Sequence, residues 1–225
     1  MRTDAGDEGR PDDALTPVVR DRRSRVAFAP EALTADVERR LFEAARWAPS
    51  GGNGQPWRFV VTRRGTPGFD ALAASLRPGN AWATAAPLLV LALVRTVHVH
   101  PEKPPKRNRH ALLDLGLAIG NLVAQATADG VAAHAMGGFD REVAADATGV
   151  RAPWDVGVLL ALGWPGDPAA LPDDVAAKEA GPRVRLPLEA IVVEDRFDPT
   201  EGIPGSEPAD ADAERHGGVG GGADG

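Results

Sequence analysis

The sequence predicts a folded domain of mixed helices and strands, and three observations carry that reading. Val37, Leu41, Ala44 and Ala48 recur at helical spacing behind Thr34. Pro87–Arg95 is an almost unbroken run of Leu, Val and Ala, the pattern of a central strand covered on both faces. Leu112, Leu115, Ile119, Leu122 and Ala126 mark one face of a long helix that Gly130 can close as its C′ residue. At 225 residues with 43% apolar side chains, the chain is long enough to build a substantial core.

Taken in order, residues 1–14 are acidic and aperiodic and read as a disordered tail. Leu15–Arg20 has room for a short helical turn. It delivers Asp21-Arg-Arg-Ser-Arg-Val-Ala-Phe28, where three arginines and a hydroxyl suit phosphate oxygens; a solvated basic turn is the plainer alternative. Thr34 reads as an N-cap and Asp36 suits the positive end of a helix dipole, so a helix is expected from about Ala35 to Ala48. Pro49 stops it. The loop Ser50-Gly-Gly-Asn-Gly-Gln55 combines residues without Cβ, which let backbone approach a flat ligand, with amides that can meet a polar edge; an ordinary helix-to-strand turn would use the same residues.

A strand should follow at Trp57–Thr62 and a short helix at Asp70–Leu76, broken by Arg77-Pro-Gly-Asn80. Residues 96–110 show no core pattern. They read as a solvated loop whose basic cluster Lys103, Lys106, Arg107, Arg109 and His110 can also meet an anionic substrate or a dinucleotide phosphate. Gly116, Ala118 and Gly120 give the long helix small positions for a close crossing, in a core or between two copies. A strand at Val131–Met136 leads to Gly137-Gly138, a second place for close backbone approach. Asp140 should cap a helix to Thr148, and Val156–Leu162 reads as a strand ending in Gly163-Trp-Pro165. After Arg183-Val-Arg185 a last strand is expected at Leu188–Glu194. The divisions expected are thus a tail (1–14), a folded domain (15–197) and a Gly/Asp-rich tail (198–225).

Charge and composition exclude several classes. The net charge is −7, but residues 1–14 hold five acids and two arginines and residues 198–225 seven acids and one arginine, leaving +2 for residues 15–197. That balance speaks against a nucleic-acid-binding domain. With no cysteine there is no disulfide, thiolate metal site or thiol nucleophile. His98 and His100 lack a third ligand within sequence reach, so no metal is expected. No Gly-x-Ser-x-Gly nucleophile elbow is present either. The N-terminus lacks a basic-then-apolar signal, and the longest apolar run, Ala85–Val94, is too short to span a bilayer; a cytoplasmic protein without membrane partners is expected.

Four segments in this order resemble the nitroreductase family of FMN-dependent oxidoreductases, over about Arg22 to Val193. They are Arg22-Arg-Ser with Phe28, Ala48-Pro-Ser-Gly-Gly-Asn-Gly-Gln-Pro-Trp57, Met136-Gly-Gly-Phe-Asp140, and Leu162-Gly-Trp-Pro165 with Arg183-Val-Arg-Leu-Pro187 behind it. The resemblance implies an α+β, three-layer fold with a central mixed, mainly antiparallel sheet, in an intertwined homodimer holding two tightly but non-covalently bound FMN molecules at its interface. It implies FMN phosphate contacts from Arg22 and Ser24 and from Arg183 and Arg185, with Arg23 and Arg25 also among the cofactor-binding residues. Ser50, Gly51 and Asn53 of the other subunit would meet the isoalloxazine, Gly137 and Gly138 would lie beside the ring, and Asn80 would meet the pyrimidine edge. The chain departs from the family where a basic residue usually faces the flavin N1/O2 edge: Val26 stands there, with Arg25 one place earlier.

The implied activity is ping-pong hydride transfer from NAD(P)H as co-substrate, through flavin N5, to a nitroaromatic, quinone or similar small acceptor. No catalytic side chain is needed, because the reactive centre belongs to the cofactor. The alternatives on the same scaffold are a flavin-dependent dehydrogenase or dehalogenase, and a non-catalytic flavin-binding protein.

Overall fold

Strand formation centres on Leu88–Arg95, in a computed structural model that describes residues 14–100 and 102–196. In chain order the helices are α1 (Pro17–Arg20), α2 (Ala35–Arg46), α3 (Pro67–Ala73), α4 (Ala111–Ala128), α5 (Arg141–Thr148) and α6 (Asp173–Ala180). The strands are β1 (Trp57–Arg63), β2 (Leu88–Arg95), β3 (Val97–His100), β4 (Lys103–Arg107), β5 (Ala132–Met136) and β6 (Trp154–Gly163). The described residues divide into one unit of residues 14–181 and a segment of residues 182–196, each described here by itself. The two predicted tails lie almost wholly outside the described residues.

The larger unit has an α+β architecture built on a four-stranded sheet in the order β1-β2-β6-β5, with every pairing antiparallel. Period-2 alternation along β2 makes two cores at once. Leu88, Val90, Ala92 and Val94 face a core with Leu41 and Ala45 of α2 and Leu115, Ala118 and Leu122 of α4. Leu89, Leu91 and Leu93 face a second core with Phe69 and Leu72 of α3, Ala144 of α5 and Leu159 of β6. The sheet is thus the middle of three layers, as the doubly apolar run predicts. Each fully buried Leu contributes about 1.5–3 kcal/mol through its removal from water, so these two faces carry most of the fold.

Helix ends follow local rules. Thr34 accepts from Val37 N at 3.4 Å, and Asp140 accepts from Glu142 N and Val143 N at 3.0 Å, each satisfying first-turn donors. α5 closes on Gly149 at φ 70°, a left-handed C-cap that glycine adopts without strain. Gly157 has a different role. It lies opposite the irregularity at Ala92/Leu93, and a Cβ there would stand 2.5 Å from Leu115 Cδ2 and 2.8 Å from Ala92 O. The missing side chain lets α4 lie close on the sheet.

The structure differs from the sequence reading in several places. Residues 96–110 are not a plain loop: β3 and β4 pair as an antiparallel hairpin, with Val97 opposite Arg107 and His98 opposite Lys106. Pro104 and Pro105 disguised it, since proline is confined to edge strands, and both strands of a two-stranded ribbon are edges. The break after the short helix is a 3-10 segment, Pro78–Ala85. The strand expected at Leu188–Glu194 is also absent; a 3-10 turn occupies Leu188–Ala190, and Leu188, Ile191, Val192 and Val193 are exposed. An apolar strand needs a partner edge, and none of the described strands supplies one to this segment. The sheet itself is antiparallel in every pairing among the described residues, in line with the mainly antiparallel sheet expected.

Candidate functional site

The basic segment before α2 is fixed from two sides. Arg22 Nη1 donates to Ser24 Oγ at 2.9 Å, so one guanidinium and one hydroxyl already share a direction. Arg23 Nη2 donates to Gly181 O at 2.7 Å. Glu179 of α6, its side chain only 5% exposed, takes the next two positions: Arg25 Nη1 lies 3.3 Å from its Oε1, and Val26 N–H donates to its Oε2 at 2.6 Å. A buried carboxylate therefore holds Arg25 and the backbone beside Val26. Sequence reasoning gave Glu179 no role, because nothing local ties residue 179 to residue 25.

The segment continues into an aromatic column. His134 of β5 places Nδ1 3.0 Å from Arg25 O, and its ring lies 4.5 Å from that of Trp82, which stacks on Phe28 at 6.2 Å. Burial holds the His134 imidazole below its ordinary value, outweighing the raising effects of the Arg25 carbonyl and the Glu179 carboxylate. Trp82 donates Nε1–H to Gly79 O at 3.1 Å, which keeps its loop tight. One residue later, Asn80 Nδ2 donates to Gly138 O at 2.9 Å. Two sequence candidates far apart in the chain, Asn80 and Gly138, thus meet. A Cβ on Gly138 would stand 2.5 Å from the Asn80 amide, whereas Gly137 is exposed and a Cβ on it would meet nothing within 4 Å. The result is a bare backbone shelf with open space above it.

The loop after α2 makes a second cluster. Ser50 Oγ accepts from Gln55 N at 3.0 Å and closes the loop, while Gln55 Nε2 donates to Asn53 O and Oδ1, both at 3.2 Å. Asn53 and Gln55 have φ of 55° and 43°, and Gly52 of 55°. Two non-glycine residues in the left-handed region store backbone strain of the kind that clusters at functional sites. Gly51, Gly52 and Asn53 are exposed. A pocket of about 310 Å³ opens where the loop enters β1, lined by Phe42, Arg46, Gln55, Trp57, Arg58 and Phe59.

Below this loop lies Asp114, a residue the sequence reading passed over. It sits in the first turn of α4, is 3% exposed, and its Oδ1 accepts from Gly51 N at 3.2 Å; its Oδ2 is buried without a hydrogen-bond partner among the described residues. A polar residue on the apolar face of a helix was the available signal. Asp114→Ala should loosen the loop by removing the acceptor for Gly51 N–H, at a cost of about 1–3 kcal/mol for an unmade buried hydrogen bond. Asp114→Asn, which keeps an acceptor, should recover most of that loss in thermal unfolding. Equal losses for both variants would show that the carboxylate charge, not the bond to Gly51, is what matters.

Arg183 and Arg185 belong to the separate segment. Arg183 is half-buried, while Arg185 is exposed and donates Nη1–H to Val184 O at 2.6 Å. His98 is exposed on β3, and no group of three or more His, Asp or Glu side chains suited to a metal occurs among the described residues.

The arrangement can hold an anion and a flat polar ring. Cations and a hydroxyl stand at Arg22 to Arg25, the exposed backbone of Gly137 beside the half-buried Gly138, and small and amide residues at Ser50 to Asn53. That donor set fits the phosphate, ring face and ring edge of a flavin mononucleotide. The model of the nitroreductase family matches residues 19–164. A Mycolicibacterium smegmatis protein named as an uncharacterized 15.4 kDa protein in the ask 5′ region is 36% identical over 148 residues, 62% of this chain and 97% of that one. A Xanthomonas oryzae pv. oryzae protein, named as a candidate NADH dehydrogenase/NAD(P)H nitroreductase, is 29% identical over 174 residues, 70% of this chain and 88% of that one. The crystal structure of an oxidoreductase containing FMN superposes with a TM-score of 0.80 at 30% identity, covering 86% of this chain and 98% of that one.

Proposed function

Since the chain belongs to the nitroreductase family, a family of flavin-dependent oxidoreductases, we propose that it is a cytoplasmic, homodimeric FMN enzyme that takes a hydride from NAD(P)H and delivers it to a nitroaromatic, quinone or similar acceptor in a ping-pong cycle. The observation that carries this reading is the bare shelf at Gly137–Gly138, pinned from beneath by Asn80. When bound, FMN supplies the two-electron chemistry and the hydride-accepting N5.

The chain's own residues bind and orient. Arg22 and Ser24 would hold the phosphate, with Arg23 beside them and Arg183 and Arg185 completing the set from the C-terminal segment. Arg25, its charge offset by Glu179, would contribute less, and its carbonyl contact with His134 would hold the segment in place. Gly137 would offer backbone N–H to the ring, Gly138 and Asn80 would fix the shelf, and Ser50, Gly51 and Asn53 of a second copy would close the other side.

A homodimer is supported by what single chains leave uncovered. On α4, Leu112, Leu113 and Leu117 are 67%, 62% and 39% exposed, with Gly116 and Gly120 open beside them. The helix is long and apolar enough by composition to cross a membrane, with a mean hydropathy of 1.4, but its Leu115, Ala118 and Leu122 face is packed in the core. A second copy is the covering the exposed face calls for. β1 is an edge strand, and the exposed apolar stretch Leu188 to Val193 is a segment without a strand partner, which suits an intertwined pair.

One observation favours a second reading, a flavin-binding protein that turns nothing over: Arg25 is paired with Glu179, and its neighbour Val26 carries no charge. The purified protein should be yellow and should bleach on anaerobic addition of NADPH or NADH. A yellow protein that neither nucleotide bleaches would overturn the NAD(P)H reading and favour the second; a colourless one that does not take up FMN would sink both.

A further inference from the structure

We infer that the β3–β4 hairpin is a cationic arm that receives the phosphates of the reduced nicotinamide dinucleotide, with Lys106, Arg107 and Arg109 as the contacting residues; the inference rests on the oxidoreductase reading above. Residues 95–110 carry five Lys or Arg against one Glu, a local excess of +4 in a stretch, residues 15–197, that sums to only +2. At the arm's origin the arginines are already engaged: Arg95 and Arg58 lie over the Trp154 ring, at 5.7 and 4.9 Å from its centroid. Lys106, Arg107 and Arg109 are different. All three are exposed, and none forms an ion pair with another described residue. Exposed cations grouped without acidic partners create a field that attracts anions.

The arm's anchorage decides which anion. Asn108 N donates to Thr96 O at 2.8 Å and Asn108 Oδ1 accepts from His110 N at 3.1 Å, which closes the hairpin base. His110 then packs on the loop: a Cβ at Gly51 would lie 3.8 Å from His110 Cβ and 3.9 Å from its Cδ2. The cations therefore rise from the loop proposed to meet the flavin. The cations stand at this base rather than at the hairpin's tip: Arg107 is opposite Val97 and Lys106 opposite His98, with Arg109 just beyond Asn108. A hydride donor with its ring at the loop would bring its phosphates past this base. A small neutral acceptor would gain nothing from it.

The test compares two hydride donors on the flavin-loaded protein: NADPH, and 1-benzyl-1,4-dihydronicotinamide, which carries no phosphate. In the double variant K106E/R107E, the KM for NADPH should rise about tenfold through loss of complementary charge. The kcat should stay within about twofold, as expected when a binding contact alone is removed. The KM for the phosphate-free donor should stay within about twofold as well. Arg39→Glu, an exposed charge reversal on α2, should leave both donors unaffected. The parent's KM for NADPH should climb with salt, and the variant's should climb less. An unmoved KM for NADPH, or equal shifts for the two donors, would overturn the arm. Failure of both donors to reduce the parent's flavin would overturn the oxidoreductase reading itself, and the arm with it.

Discussion

Arg22→Ala and Arg185→Ala should each weaken FMN binding about tenfold to a hundredfold, since a hydrogen bond to a charged group contributes about 1.5–3 kcal/mol and 1.4 kcal/mol is a factor of ten. Riboflavin, which lacks the phosphate, should bind weakly to the parent and almost equally weakly to both variants. Arg22 is the better-prepared ligand, because its Nη1 is already held at 2.9 Å from Ser24 Oγ and the two can converge on one oxygen cluster with little further ordering. Arg25 is the weaker candidate, its charge being offset by Glu179. Arg22 and Arg185 are 163 positions apart in the chain, so the double variant carries separate information. If both grip the same dianion, their losses should not add, and the cycle should show a coupling of about 0.5–3 kcal/mol. Fluorescence titration with the two flavins on folded protein gives both answers. Equal losses of FMN and riboflavin would remove the mutated arginine from the phosphate site; additive losses would place the two arginines on different anions.

Where a fold is written in local periodicity, this sequence was legible. The doubly apolar run at Leu88 to Val94 predicted a strand covered on both faces, and the alternation of Leu88 and Leu89 between two cores is the physical content of that prediction. The caps at Thr34 and Asp140 could be read because a cap needs only its own next three residues. Asn80 and Gly138 were both singled out, but their pairing was not foreseen, because two loops 58 residues apart are brought together only by tertiary folding. Asp114 and Glu179 escaped notice for a related reason. Each is a carboxylate whose partner, Gly51 N or Arg25, is brought to it by tertiary folding, and a single Asp or Glu in a helix looks like any solvated charge. The hairpin at Val97 to Arg107 was missed because its prolines and charges hide the alternation a strand usually shows. Leu188 to Glu194 failed in the opposite direction. Its apolar pattern is that of a strand, but pattern does not name the edge that a strand must pair with, and in a single chain the segment is exposed.

Leu113→Asp should convert the proposed dimer into a monomer and release its flavin, with both effects seen at once by light scattering and in the visible spectrum. In the isolated chain Leu113 is 62% exposed, so the substitution removes little buried surface and should change folding stability by no more than about 0.5 kcal/mol. An acid in the first turn of a helix even favours the helix through its dipole. Any large effect must therefore come from a covering surface. If a second α4 crosses at Gly116 and Gly120, where added side chains would meet nothing in the single chain, Leu113 is buried there and an unpaired carboxylate in its place costs several kcal/mol. The flavin readout carries the argument one step further. The two clusters, Arg22 to Gly138 on one side and Ser50 to Asn53 on the other, are each held by their own contacts. If one flavin is gripped by clusters of two different copies, monomerisation must lower its affinity along with the dimer. A monomer that stays yellow would mean that one chain suffices for the flavin, and a persistent dimer would mean that the exposed face of α4 is not the interface.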